Sequence, residues 1–185
     1  AESGLWTPVT DQPLVLSGHW TDFKLIENGK RHPVNCARCP ETMRVIQEQC
    51  PEIATQVRGS IIFSRLAGRT TIKPHCGPTN TRIRIHLALE VPEPGPRIRV
   101  GGEWRAWEPG RCLVFDDSFE HEVLHTGDSA RVVLIADLWH PEFTGARRTQ
   151  YLHGRHRRRY DGAAAPAQGR TYEPHRVDPV EVRFL

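Results

Sequence analysis

The clearest alternation of apolar and polar positions lies in the segment TRIRIHLALE, residues 81–90. Its basic or ionisable side chains alternate with apolar ones, so that Arg82, Arg84 and His86 are set against Ile83, Ile85 and Leu87. A period of two predicts a β-strand with one basic and one apolar face. An inward basic face needs an anionic ligand or an acidic partner, because unpaired buried charge is costly. The pattern also fits a solvated outer face of an antiparallel sheet.

The segment RCLVFDDSFEHEVLH shows the same alternation on both sides of an acidic turn. It predicts a strand at Cys112–Phe115 and a second strand that carries His121 and His125 on one side, and a further strand follows at Ala130–Leu138. In a compact antiparallel barrel, neighbouring hairpins bring residues that are distant in sequence into one layer. His75 stands where a strand gives way to the turn CGP, and we expect it to meet His121.

The whole chain is organised as one mainly β domain. We predict a strand near Trp20–Ile26, a helix near Glu41–Gln49, and about eight strands between Val57 and Leu138, with turns at Pro92–Pro96 and Gly101–Gly102. A double-stranded β-helix, the jelly-roll and cupin-like architecture, accommodates this order with a few flanking helices. With 185 residues, of which 38% are apolar, the chain can bury one sizeable core and is too short for two ordinary domains.

The net charge of +3 is unevenly spread. Residues 1–145 form the predicted domain, whereas residues 146–185 form a basic, partly extended tail that contains Arg147, Arg148, Arg155, His156, Arg157, Arg158, Arg159 and the linker-like run GAAAPAQGR. Aromatic residues are scarce there, which argues against nucleic-acid binding and favours a solvated or substrate-facing tail. Trp104, Trp107 and Trp139 lie among polar residues and fit core or rim packing better than stacking platforms. We expect a monomer.

No apolar run approaches the roughly 18 residues of a membrane-spanning helix. The first residues also lack a charged segment followed by an apolar one, which a signal peptide would show. These features predict a chain that is soluble by itself and do not assign a compartment.

Three segments and one arginine together resemble the catalytic domain of the aspartyl/asparaginyl β-hydroxylases. The segments are PHCGPTNTRIRIHLAL, FDDSFEHEV and DLWHPEF, and the arginine is Arg131, downstream of His121. Long strings agree in order and spacing, from about Trp20 to Phe143, and the tail has no counterpart. The resemblance implies an Fe(II)- and 2-oxoglutarate-dependent dioxygenase on a double-stranded β-helix. It also allows a parent chain that is membrane-anchored or cytoplasmic, since members of the family often carry upstream regions.

The resemblance implies that His75 and His121 bind the iron. Most non-haem Fe(II) oxygenases add a carboxylate two positions after the first histidine, but residue 77 is glycine. The family is similar in lacking that carboxylate, and water would fill the coordination position. Asp117 or a neighbouring acid would orient a ligand or this water, although an acidic cluster also fits a turn cap.

The resemblance further places the 2-oxoglutarate contacts at Trp20, Ser64, Arg84, Ile85, His86 and Arg131. Arginine suits a dicarboxylate because its rigid fork matches a carboxylate, so we expect Arg131 to bind the distal carboxylate with help from the Ser64 hydroxyl. Arg84, which we also count as catalytic, and His86 would serve the other end of the cosubstrate or an acidic substrate. Arg82 is a weaker candidate for a substrate carboxylate.

Three classes of function remain open. The first is hydroxylation of the β-carbon of Asp or Asn in a peptide or protein, for which an EGF-like domain is one candidate substrate. The second keeps the iron chemistry but acts on a lipid acyl chain or a small natural product. The third is a non-enzymatic metal- or carboxylate-binding module, which fits less well because all the candidate site residues are present.

The five cysteines do not point to a metal site. Cys36 and Cys39 form a CxxC motif, which fits half a zinc site or a redox pair, but the chain has no second such motif. In relatives a disulfide ties this loop, and Met43 occupies the position where the second cysteine is expected. A bridge between Cys36 and Cys39 would be short and strained, so we predict free thiols. Cys76, beside His75, is the thiol most exposed to oxidation by leaked oxidants.

Overall fold

A computed structural model describes residues 5–10, 13–55, 59–145 and 148–149 of the chain. Most of the tail predicted at residues 146–185 therefore lies outside the described residues. The strands are β1 (Thr7–Pro8), β2 (Val15–Ser17), β3 (Trp20–Glu27), β4 (Lys30–Arg31), β5 (Ile61–Leu66), β6 (Thr71–His75), β7 (Arg82–Glu90), β8 (Arg97–Val100), β9 (Glu103–Ala106), β10 (Cys112–Phe115), β11 (His121–Leu124) and β12 (Arg131–Trp139). The helices are α1 (Pro33–Arg38), α2 (Pro40–Gln49) and α3 (Pro51–Thr55).

The strands form two antiparallel sheets. The larger has seven strands in the order β1-β3-β5-β12-β7-β10, with β4 attached to β3, and the smaller has five in the order β2-β6-β11-β8-β9. Strands from distant parts of the sequence thus alternate within each sheet, as in a jelly roll. The predicted mainly β, double-stranded β-helix fold is confirmed.

Helices α1, α2 and α3 each begin with a proline. Proline suits the first helical position, because its fixed φ is already helical and the missing N–H has no partner there anyway. The helices pack on the outer face of the larger sheet. This contact buries an apolar cluster made of Phe23, Leu25, Ile26, Met43, Ile46, Ile53, Ile61 and Ala136.

A second apolar cluster fills the space between the two sheets. Its buried members are Leu14, Leu66, Ile72, Ala88, Ile98, Trp107, Phe115, Val123, Val133 and Ile135. The inner face of the larger sheet also carries polar side chains, and these line the candidate site. The sheet is therefore covered on both faces, by helices outside and by the smaller sheet inside.

The predicted turns lie between strands. Residues Pro92–Pro96 join β7 to β8, and Gly101 and Gly102 join β8 to β9. Both glycines have positive φ, 55° and 100°, which a two-residue hairpin turn of this kind requires and which glycine adopts without a steric penalty. All five cysteines carry free thiols, as the sequence predicted.

Candidate active site

His75 and His121 face each other across the ladder between β6 and β11. They are direct partners in the antiparallel register, and their ring centroids lie 4.1 Å apart. His75 ends its strand and is half-buried, whereas His121 begins its strand and is buried. The meeting expected from the sequence is therefore present, at the edge of the space between the sheets.

Backbone carbonyls hold both imidazoles in one orientation. Nδ1 of His75 lies 2.8 Å from the carbonyl oxygen of Lys73, and Nδ1 of His121 lies 2.9 Å from that of Phe119. A carbonyl only accepts, so each Nδ1 carries the hydrogen and each Nε2 keeps its lone pair for another ligand. Burial lowers the pKa of His75 and lowers that of His121 to about 4, which keeps both rings neutral.

The carboxylate of Asp117 occupies the space beside Gly77. A Cβ on Gly77 would lie 2.6 Å from the Asp117 carboxyl group, and the Gly77 amide donates to the backbone oxygen of Asp117 at 2.5 Å. An aspartate could not fit at position 77 without displacing Asp117. The chain therefore offers a carboxylate close to the histidine pair. It comes from the connection between β10 and β11, and not from the position two residues after the first histidine.

Two arginines and two aspartates form a buried ionic cluster next to the histidines. Arg82 donates to Asp117 at 2.6 Å and 3.2 Å and to Asp137 at 3.1 Å. Arg84 donates to Asp137 at 2.9 Å and 3.3 Å and lies 3.3 Å from Asp117. Burial alone would raise the pKa of Asp117, but Arg84 and Arg82 outweigh it and hold that pKa below its ordinary value. The acidic partner that an inward basic face requires is therefore supplied by the protein.

This cluster corrects the expectation for Arg82. Every nitrogen of its guanidinium donates to Asp117 or Asp137, and its side chain is only 7% exposed. Arg82 is thus not available to bind a substrate carboxylate. The side chain of Arg84 is 21% exposed, so it keeps an accessible edge.

The register of β3, β5 and β12 aligns four polar side chains on the inner face of the larger sheet. Asp22 lies opposite Ser64, and in the next row Trp20 and Arg131 flank Leu66 from either side. The indole N–H of Trp20 donates to Ser64 Oγ at 2.8 Å and to Asp22 Oδ1 at 3.1 Å. The structure therefore brings Trp20, Ser64 and Arg131 together, as the sequence predicted.

Arg131 and His86 are buried without hydrogen-bond partners for most of their polar atoms. Within the described residues, Nε and Nη1 of Arg131 and both ring nitrogens of His86 have none. Trp107 packs against both, with its ring parallel to His86 at 5.9 Å between centroids and the Arg131 guanidinium carbon 4.8 Å from its ring centroid. Burial lowers the pKa of Arg131 to about 10 and that of His86 well below 6.5. Buried polar groups of this kind are normally paired, so these four nitrogens form a candidate anion site.

The sequence matches the family described as aspartyl/asparaginyl β-hydroxylase over residues 5–141. The chain belongs to this family. The match begins at residue 5, whereas the resemblance noted in the sequence begins at about Trp20.

Relatives support the assignment. The chain is 42% identical to the human aspartyl/asparaginyl β-hydroxylase over 145 residues, which cover 78% of this chain and 19% of that protein. It is 45% identical to human aspartate β-hydroxylase domain-containing protein 2 over 135 residues, which cover 71% of this chain and 36% of that protein. The chain thus spans about a fifth to a third of the length of these relatives.

Solved structures with a similar chain path include a predicted oxalate decarboxylase from Thermotoga maritima, at a TM-score of 0.48 and 11% identity. That match covers 73% of this chain and 92% of the other. The cupin domain of Schizosaccharomyces pombe Cnp3 matches at a TM-score of 0.40 and 6% identity, over 52% of this chain and 62% of the other.

Ile85 was predicted to contact the cosubstrate, but its side chain lies outside the site. Side chains alternate between the two faces along β7, so Ile85 points to the outer face, where it lines a small cavity with Ile46 and Cys50. An isoleucine side chain on that face cannot contact a ligand beside His86. The prediction of Ile85 as a cosubstrate contact is therefore not met by its side chain.

Three site residues were missed by the sequence analysis, namely Asp22, Trp107 and Asp137. Asp22 follows Trp20 by two positions, and strand alternation would have placed both on one face. Asp137 stands in the family-like run DLWHPEF, where its role as partner of Arg84 had no local signal. Trp107 is in the core, as expected, but it also packs against both His86 and Arg131.

Among the described residues, no group of three or more His, Cys, Asp or Glu side chains could hold a metal ion. No helix in the same part of the chain is long and apolar enough to cross a membrane.

Proposed function

We propose that this chain is an Fe(II)- and 2-oxoglutarate-dependent dioxygenase that hydroxylates the β-carbon of aspartate or asparagine residues in a peptide or protein. One observation carries the proposal. Within the described residues, a pair of neutral histidines with unpaired Nε2 atoms lies on the inner side of the fold, as does Arg131, a buried arginine whose Nε and Nη1 lack hydrogen-bond partners. This chemistry needs at least a pair of side chains that bind the metal and a nearby cation that binds the dicarboxylate.

The donor set fits iron with water completing its coordination. His75 and His121 would bind the metal through Nε2, because the backbone carbonyls of Lys73 and Phe119 occupy Nδ1. Asp117 is ionised and close enough for its charge to act on both imidazoles. We assign it the role of orienting a metal-bound water, since its carboxylate lies beside Gly77 where other iron oxygenases place a direct ligand.

The anion site fits the dicarboxylate. Arg131 would bind the distal carboxylate, because its unpartnered guanidinium nitrogens gain charged hydrogen bonds there. Ser64 and Trp20 lie in neighbouring positions on the same face. His86 stacks on Trp107 and would donate to or accept from the cosubstrate nearer the metal.

When bound, iron and 2-oxoglutarate supply the oxidation of an unactivated C–H bond, with the cosubstrate decarboxylated to succinate and carbon dioxide. The protein holds the reactants, excludes water and fixes charges. Buried Trp107 and Phe115 provide apolar walls around His86 and His121. The accessible edge of Arg84 is our candidate contact for an acidic substrate side chain.

The alternative of a lipid acyl-chain or small-molecule substrate gains no support from the cavities. A groove of about 320 Å³, lined by Val45, Ile46, Phe63 and Leu134 among others, has an apolar surface. It lies on the helix-covered face of the larger sheet, so the sheet separates it from His75 and His121. An acyl chain in that groove would be out of reach of the site.

The decisive experiment measures succinate formation by protein loaded anaerobically with Fe(II), then given 2-oxoglutarate and oxygen. Parallel reactions contain or omit an aspartate-containing EGF-like peptide, which is afterwards examined by mass spectrometry. Peptide-stimulated turnover with one oxygen atom gained on Asp or Asn is the expected result. Succinate without peptide modification would overturn the substrate assignment, and no succinate under verified iron loading would overturn the dioxygenase proposal.

A further inference from the structure

Asp22 is a carboxylic acid inside the proposed 2-oxoglutarate site, which would accept a dianion. Asp22 is 6% exposed, and it lies on the inner face of the larger sheet directly opposite Ser64. The cationic groups around it are Lys24 on its own strand, Arg84 on β7 and Arg131 on β12, and His86 also lies near Arg131 and Arg84. Within the described residues, no hydrogen bond joins the Asp22 carboxyl to Arg84 or Arg131.

The Ser64 hydroxyl lies beside the Asp22 carboxyl on the inner face of the sheet. The two residues are partners in the strand register, and the Ser64 oxygen accepts the indole N–H of Trp20 at 2.8 Å, so the hydroxyl hydrogen points away from the indole. A hydroxyl has one hydrogen to donate. While Asp22 is ionised, it accepts that hydrogen, and Ser64 presents only lone pairs to an incoming carboxylate.

We propose that Asp22 is the proton switch of this anion site, and that it takes up a proton so that Ser64 can turn its hydroxyl hydrogen toward the distal carboxylate of a bound dicarboxylate. Protonated Asp22 then donates to Ser64 Oγ, and Ser64 donates onward beside Arg131. The exchange is balanced, because one proton enters from solvent for each dianion bound. The inference rests on the proposed use of 2-oxoglutarate.

Two physical effects favour the protonated form. Burial raises the pKa of free Asp22 to about 6, although the Ser64 hydrogen bond and the charge of Lys24 act the other way. A carboxylate bound by Arg131 would add a like charge nearby and raise that pKa further. By linkage, the affinity for the dianion is highest below about pH 6 and falls as the pH rises toward the pKa of the bound state, by up to about tenfold for each pH unit. Burial and the charge of Arg131 lower the pKa of His86 well below its ordinary value, so His86 does not take up the proton near pH 7.

The test measures binding rather than turnover. Titration calorimetry of 2-oxoglutarate into anaerobic Fe(II)-loaded protein, in two buffers of different ionisation enthalpy, gives both the dissociation constant and the protons taken up. Near pH 7 the native chain should take up a proton on binding, approaching one per site. Asp22→Asn, which keeps the shape but cannot ionise, should take up none and should bind with an affinity independent of pH between 6 and 8.

Asp128→Asn is the matched control, since it removes an exposed carboxylate that pairs with Arg69 on the surface. It should behave as the native chain does. Ser64→Ala tests the hydroxyl itself, because the advantage of the native chain over this variant should be largest below pH 6 and shrink above it. An advantage that does not vary with pH would overturn the role of Ser64.

The outcomes also separate this inference from the proposed function. Tight binding without proton uptake, or uptake that persists in Asp22→Asn, would overturn the switch and leave the dioxygenase proposal standing. Failure of 2-oxoglutarate to bind at any pH would overturn both. The measurement on the native chain needs no variant, so a poorly folded variant does not remove the test.

Discussion

His75 lies directly opposite His121 in the ladder between the two strands of the smaller sheet, with 4.1 Å between the ring centroids. Each ring hydrogen-bonds through Nδ1 to a backbone oxygen two residues earlier. The backbone therefore orients the pair, which would lower the cost of ordering these side chains around the proposed iron.

Replacing either histidine should abolish iron-dependent activity. His75→Ala or His121→Ala removes one of two protein ligands, and the remaining one cannot hold the metal alone. We expect Fe(II) content after anaerobic loading and desalting to fall to background, and succinate formation with it. His19→Ala removes an exposed histidine side chain and should change neither quantity. Substantial activity in either site variant would remove that histidine from the metal site.

Arg131→Met should weaken 2-oxoglutarate binding without destabilising the fold. The charged hydrogen bonds to a carboxylate are worth about 1.5–3 kcal/mol, which corresponds to a dissociation constant about 10- to 150-fold higher. The substitution also removes a buried charge whose Nε and Nη1 lack partners in the described part of the chain. The free energy of unfolding, measured with urea, should therefore stay equal or rise. A large loss of stability would indicate a structural role for Arg131.

Arg82→Met should have the opposite profile. It leaves the fully buried carboxylates of Asp117 and Asp137 short of a partner, and breaking a buried ion pair costs about 3–5 kcal/mol. Urea denaturation should show a loss of that size. Arg105→Met, which breaks an exposed pair with Glu103, should cost no more than about 1 kcal/mol. Near-native stability of Arg82→Met would show that the cluster is less tightly coupled than its distances suggest.

Gly77→Ala should impair the site more than its small size suggests. The added Cβ would lie 2.6 Å from the carboxyl carbon of Asp117 and 2.8 Å from its backbone oxygen. Asp117 must then shift away from the histidine pair, and turnover should fall by about tenfold or more, as when catalytic groups are displaced. Cys76→Ala, an exposed neighbour, provides the control. Unchanged turnover in Gly77→Ala would exclude a role for the position of Asp117.

Asp22→Asn should stabilise the fold at neutral pH. The pKa of Asp22 rises from 3.8 to about 6 on folding, so the native state binds more protons between these values and loses stability as the pH rises through them. The difference corresponds to about 3 kcal/mol at pH 7. Unfolding free energies should favour the variant by an amount of this order at pH 7 and by little at pH 4. A difference that does not change with pH would contradict the raised pKa.

The alternation of residues 81–90 predicted strand β7 with one basic face, and the structure confirms the strand. The alternation left open whether that face points inward, and the structure places it inside. The eight strands that follow Val57, the helix predicted near Glu41–Gln49 and the turn glycines were also predicted, because they depend on local periodicity and on backbone preferences. The short strands β1, β2 and β4 were not predicted. The family followed from strings such as FDDSFEHEV. Each of these signals is contained within a short stretch of chain.

The partners of the charged residues could not be read in the same way. The sequence indicated Arg82 as a candidate substrate contact, but in the structure Arg82 is paired with Asp117 and Asp137. Asp22 was not predicted as a site residue, and the strand register places it opposite Ser64. Both facts depend on which strands are neighbours in the sheet, and the order β3-β5-β12-β7 joins segments far apart along the chain.

The sequence by itself thus determined the family, the β architecture and the identity of most candidate site residues, because strand period and motif strings are local properties. Only the tertiary structure decided which charges are neutralised and which remain available. Lateral register sets the distance between side chains on different strands, and burial sets how much an unpaired charge costs. For this chain, those two quantities separate Arg82, whose guanidinium is paired with Asp117 and Asp137, from Arg131, whose Nε and Nη1 have no hydrogen-bond partner within the described residues.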